Sequence, residues 1–97
     1  MKAIFIVYDQ AYNREIIDFL DDIYVRGYTM WENIYGRGSV NGEPHEGSHA
    51  WPVMNNALLV FVAEEKVAPI LEEIKKKDEA TPALGLRAFV WNIEQQY

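Results

Sequence analysis

The chain has 97 residues, 49% of them apolar and 25% charged, values that fit one globular domain with a single core and exclude a disordered chain. Nine cations against fifteen anions leave a formal charge of -6, and the only cationic run is Lys75-Lys76-Lys77, so nucleic acid is excluded as a partner. No cysteine is present, which excludes disulfides, thiol nucleophiles and iron-sulfur sites and is compatible with a reducing compartment.

Ala3 to Tyr8 is a short apolar run of β-branched and aromatic residues, the pattern of a strand buried on both faces. It ends at Asp9, too early for a signal peptide or a membrane span, so the expected location is cytoplasmic, without membrane insertion. From Tyr12, apolar residues recur at Ile16, Phe19, Leu20 and Ile23, with Arg14, Asp18, Asp21 and Asp22 opposite. This spacing predicts an amphipathic helix stopped at Gly27. Tyr28-Thr29-Met30-Trp31 and Ile34-Tyr35 read as a second strand.

Regular structure then stops. The stretch from Trp31 to Asn56 gathers Gly36, Gly38, Gly42, Gly47, Pro44, Pro52 and both histidines. A loop of this kind inside a compact domain is usually functional. Ala57 to Ala63 reads as a fully apolar strand. Glu64 to Lys77 reads as a second helix, acidic at its start and ending on three lysines, as the macrodipole favours, with Pro69 tolerated in the first turn. Asp78 to Gly85 is a short loop, and Arg87 to Ile93 is the last strand.

The order βαββαβ predicts an α+β, ferredoxin-like fold: a four-stranded antiparallel sheet with both helices on one face. The uncovered face of such a sheet should alternate to polar residues in a monomer. It does not. Ile4 and Ile6 oppose Phe5 and Val7, Leu58 and Val60 oppose Leu59 and Phe61, and Ala88 and Val90 oppose Phe89 and Trp91. Whichever face the helices cover, about two large apolar side chains per strand remain on the other, each worth about 1.5 to 3 kcal/mol if buried. A homo-oligomer joined through its sheets is expected.

Three constellations could carry chemistry. Tyr35-Gly36-Arg37-Gly38 could lay backbone N–H groups and a guanidinium beside a phosphate. His45 and His49, with Glu46 between them, are ligands of the kind that hold a divalent ion such as zinc, nickel or copper, although a His-x-x-x-His pair converges only on a helix and Gly42, Pro44 and Gly47 oppose one. Trp31, Trp51 and Trp91 could stack a ligand, and packing is the commoner use of such rings. Enzyme motifs are missing: no serine sits in a nucleophile pattern, and there is no Walker loop or His-Glu-x-x-His. The adjacent acidic pairs Asp21-Asp22, Glu64-Glu65 and Glu72-Glu73 point apart on helices.

Several segments resemble the PII signal-transduction proteins. Val25-Arg26-Gly27-Tyr28-Thr29 is similar to that family's helix-to-strand segment Gly-x-x-Gly-Met-Thr, and Tyr35-Gly36-Arg37 to the Gly-Phe-Gly-Arg that opens its T-loop. Phe61 to Val67 resembles its third strand and acidic helix start, and Phe89-Val90-Trp91-Asn92-Ile93-Glu94 its final Phe-Val-Phe-Asp-Val-Glu. The likeness spans nearly the whole chain. It implies one domain over residues 1–97 with a T-loop-like insertion at about 37–52, and a homotrimer with a ligand cleft between each pair of subunits. Thr29 would face the cleft, Gly36, Arg37 and Gly38 would line its mouth, and Arg87 would stand near the family's cationic B-loop lysine.

Two features depart from the family pattern. The T-loop is short and lacks Leu-Tyr-Arg-Gly, and the glycine-rich B-loop is replaced by Ala80-Thr81-Pro82-Ala83-Leu84-Gly85-Leu86-Arg87, which removes the flexible backbone that cradles a triphosphate. The resemblance is therefore to a divergent PII-like member. Its expected function is regulatory: a small ligand, with a nucleotide or a divalent metal as the candidate class, binds in the clefts, and the 37–52 loop signals to a target protein such as a transporter. The first rival is a metal-homeostasis accessory protein using His45, Glu46 and His49; the second is a small enzyme of the same fold.

Overall fold

A computed structural model describes residues 1–36, 54–81 and 85–97. Its elements are β1 (Lys2–Asp9), a 3-10 turn (Gln10–Tyr12), α1 (Asn13–Asp22), β2 (Thr29–Ile34), β3 (Asn55–Val62), a second 3-10 turn (Glu64–Lys66), α2 (Val67–Ala80) and β4 (Arg87–Asn92). The strands lie in the order β2-β3-β1-β4, and every neighbouring pair is antiparallel. This is the ferredoxin-like arrangement expected from the order of elements.

Both helices cover the same face. Ile4, Ile6 and Tyr8 of β1 and Leu58, Val60 and Val62 of β3 form one buried cluster with Ile16 and Leu20 of α1 and Ile70 and Ile74 of α2. Met30 of β2 and Ala88 and Val90 of β4 pack at its margins. Side chains alternate across a strand, so Phe5, Val7, Leu59, Phe61, Phe89, Trp91 and Trp31 belong to the other face. Among the described residues no helix is long and apolar enough to cross a membrane.

The helix boundaries correct two expectations. α1 ends at Asp22, and the residue that turns the chain is Tyr24 rather than Gly27. Tyr24 adopts φ 63°, its N–H donates to Asp21 O at 3.0 Å, and the Val25 N–H reaches Leu20 O at 2.8 Å. These two bonds make a Schellman motif, and Val25 and Leu20, the pair that usually seals such a motif by apolar contact, are both buried. Gly27 is not needed for this turn. α2 begins at Val67, after the 3-10 turn that holds Glu64 and Glu65, and continues to Ala80, so the lysine run lies inside the helix rather than closing it.

β2 is one strand interrupted by a bulge. Trp31 opposes Ala57 and Ile34 opposes Asn55, so Glu32 and Asn33 share the single partner Asn56. Asn33 takes φ 56°, a conformation that asparagine tolerates better than most residues. Its N–H, displaced from the ladder, donates to Asn56 Oδ1 at 3.1 Å. Asn56 Nδ2 in turn donates to Asn13 Oδ1 at 3.1 Å, which also accepts the Tyr8 hydroxyl at 2.7 Å. Asp9 accepts the Ala11 N–H at 2.8 Å and so fixes the turn into α1. Asn55 and Asn56, read from sequence as the end of the loop, are therefore buried strand residues.

Candidate functional site

The face opposite the helices carries Phe61, Phe89, Trp91 and Trp31 at 50%, 57%, 47% and 45% exposure. Soluble monomers rarely expose aromatic rings in one contiguous patch of this kind. Phe5 lies at its centre and meets Trp31 edge-on, with ring centroids 6.3 Å apart. The sheet register puts Thr29, Leu59, Phe5 and Phe89 in one row across the four strands.

Thr29 and Arg87 sit on opposite edge strands of this face. Three strand spacings and two residues along β4 separate them, so their backbones are about 16 Å apart. One chain does not bring them together. Arg87 is also engaged: its Nη1 donates to Asp78 Oδ1 at 3.0 Å, near the end of α2, and to Leu86 O at 2.7 Å. Gly36 stands beside Asn55, where a Cβ would lie 2.7 Å from Asn55 Nδ2, so only glycine fits without displacing a buried side chain. Arg37, Gly38, His45, Glu46 and His49 lie outside the described residues. Among the described residues no three histidine, cysteine or carboxylate side chains gather to hold a metal ion.

Among the described residues, Tyr8 is the group whose ionisation the fold changes most. Burial pushes its phenol up to about 12, helped by the negative potential of Tyr28 and Glu32 and opposed by the Asn56 side chain. It is therefore a neutral donor at physiological pH, and it serves the polar knot at the base of β2 rather than acid-base chemistry.

A second feature was missed in the sequence. Tyr24, Val25, Arg26 and Gly27 face Phe61, Val62, Ala63 and Lys66 across a surface hollow of about 240 Å³. It opens at the end of the sheet where β2 begins, two residues from Thr29. Arg26 lies 5.5 Å and Lys66 Nζ 6.0 Å from the centre of the Tyr24 ring.

The comparisons with known proteins agree with this architecture. No curated protein matches the chain. Among solved structures, CPII, a nitrogen regulatory PII-like protein from Thiomonas intermedia bound to ADP, AMP and bicarbonate, is 30% identical, with a TM-score of 0.78 over 95% of this chain and 84% of that one. Its apo form is 27% identical, with a TM-score of 0.73 over 95% and 87%. A PII-like protein from Thermus thermophilus, 24% identical with a TM-score of 0.66 over 95% and 85%, shares the fold. The model of the family Nitrogen regulatory protein P-II matches residues 1–97, the whole length, and the chain belongs to that family.

Proposed function

We propose that the protein is a trimeric PII-like sensor that binds a nucleotide in clefts shared between subunits and signals through the loop at 37–52. The observation that carries this reading is the open sheet face. Its aromatic rings need cover that the helices do not supply, and Thr29 and Arg87 stand at opposite edges, where only neighbouring copies can bring them to one ligand. The nucleotide class is supported by CPII, which is similar over nearly the whole chain and is bound to ADP and AMP.

In this reading residues 1–97 form one domain with the loop as an insertion, the protein works in the cytoplasm, and it acts by binding rather than by turnover. Ligand contacts favour one loop conformation, and that conformation favours the target protein. Arg87 must exchange Asp78 for the ligand, so the affinity for anions is set against an existing ion pair of 3.0 Å. Two measurements test the reading. Light scattering at micromolar concentration should give three times the 11.3 kDa chain mass. Calorimetry should show ADP or AMP binding that Arg87→Gln and Thr29→Ala weaken; a clean monomer, or affinities untouched by both changes, would overturn it.

A further inference from the structure

We propose that the hydrogen-bonded chain Tyr8–Asn13–Asn56–Asn33 is a conformational latch that ties the root of the 37–52 loop to the first turn of α1, so that a change at either end is felt at the other. It holds no ligand and is a device of regulation rather than a site. Its use in signalling rests on the reading of the loop as the element that meets the target; its existence does not.

The chain runs out to the loop through Gly36 and is back in the described structure at Met54, and both sides are held by the connection between β1 and α1. On the returning side the Gln10 N–H donates to Met54 O at 2.9 Å. On the outgoing side the Asn33 N–H donates to Asn56 Oδ1 at 3.1 Å, Asn56 Nδ2 donates to Asn13 Oδ1 at 3.1 Å, and the Tyr8 hydroxyl donates to the same Asn13 oxygen at 2.7 Å. Asn13 opens α1, and Glu15 on the same turn accepts from Lys77 of α2 at 3.1 Å, which carries the connection on to the second helix.

Three features make this a switch rather than a filler of space. Asn33 stands in the left-handed well at φ 56°, separated from the extended well by forbidden backbone angles, so the residue occupies one state or the other. In the extended state its N–H would leave Asn56, and Gly36 would lose its seat beside Asn55. Tyr8 and Asn56 are buried, so a donor or acceptor released there finds no water in exchange; each bond supports the next, and one broken link weakens the others. The N-cap residue of α1, Tyr12, makes no side-chain capping bond, which leaves the first turn dependent on anchors such as Asn13. Coupling of this kind is reciprocal: whatever fixes the root of the loop stiffens the start of α1 by the same factor.

The test is amide hydrogen exchange followed by NMR on the full chain without nucleotide. It is read at Asn33 and at Ile17, whose N–H is the first to bond Asn13 O within α1. Ile93, whose N–H bonds Met1 O at the opposite end of the sheet, is the control and should stay within about twofold in every variant. Tyr8→Phe removes a donor that meets Asn13 rather than Asn33, and should speed exchange at Asn33 about three- to tenfold. Asn13→Ala removes the junction and should do the same. Tyr8→Phe added to Asn13→Ala should change Asn33 by less than about twofold more, where independent effects would multiply. From the other end, Asn33→Val opposes the left-handed state and should speed exchange at Ile17 about three- to tenfold, whereas Asn33→Gly adopts that state freely and should leave Ile17 within about twofold. A merely local role of the bulge would not move an amide on another element, nor would glycine rescue it. Unchanged exchange at Asn33 in Tyr8→Phe and Asn13→Ala, an Ile17 amide indifferent to Asn33→Val, or an Ile93 amide that moves as far as the others overturns the proposal. A protein that shows the coupling and binds no ADP keeps the latch and loses the sensor reading; one that binds ADP without the coupling keeps the sensor reading and loses the latch.

Discussion

The two faces of one sheet are built from equally apolar residues and end in opposite states. On the helix side Ile4, Ile6, Leu58 and Val60 are fully buried by the chain's own α1 and α2. On the other side Phe61, Phe89 and Trp91 keep about half their surface. Hydrophobicity alone therefore does not say where the core of a single chain lies. The helices decide which face contributes to folding, and the free energy of the other face is realised only on association.

Perturbing each face in turn should separate these contributions. The largest effect is expected on the covered side: Ile6→Ala removes a buried side chain from the middle of β1 and should cost about 2 to 5 kcal/mol in urea denaturation at any protein concentration. Next comes alkaline pH, which probes Tyr8 on the same face. Its folded-state pKa lies above the ordinary value, so the unfolded chain loses this proton first. Stability is then complete below about pH 10 and falls by about 2 to 3 kcal/mol as the pH rises to about 12. Melting temperature against pH checks this, with Tyr8→Phe expected to flatten the decline.

Asn56→Ala acts at the margin of the covered face, where it takes the acceptor from the Asn33 N–H and a donor from Asn13. It should cost about 1 to 3 kcal/mol and raise the hydrogen-exchange rate of the Asn33 amide. Phe89→Ser, on the open face, should change the stability of a dilute single chain by less than about 1 kcal/mol, while shifting the light-scattering mass toward one chain. Equal losses from Ile6→Ala and Phe89→Ser in dilute protein would erase the distinction between the faces.

The covered and open sets of side chains were legible because strand side chains repeat every two residues, and the order of elements placed both helices on one side. The cap of α1 was not. Glycine is the default residue for a left-handed turn, so Gly27 drew the expectation, while the turn is made by Tyr24, whose strain no local pattern betrays. Asn55 and Asn56 look like loop residues until the partners of Asn56 are seen to come from α1 and β2, remote in sequence. Thr29 and Arg87 were singled out by the resemblance to PII segments and Gly36 also by its place in the glycine-rich piece, while the Asp78 contact of Arg87 depends on how α2 ends. Lys66 did leave a trace: it follows Glu64 and Glu65 at the cap of α2, the end of a helix where a cation is disfavoured.

The bulge at Glu32 and Asn33 also resets the phase of the strand. Under unbroken alternation Ile34 would follow Met30 onto the helix side; with two residues opposite Asn56 it faces Asn55 and shares the aspect of Ala57 and Leu59. Deleting one of the two would leave Asn56 a single partner and keep Ile34 opposite Asn55, so the ladder would close up while the local bend and added twist of the bulge would be lost. The extra residue thus sets the direction in which β2 leaves the sheet rather than the face its end presents, and a chain without it would launch the loop along a straighter path.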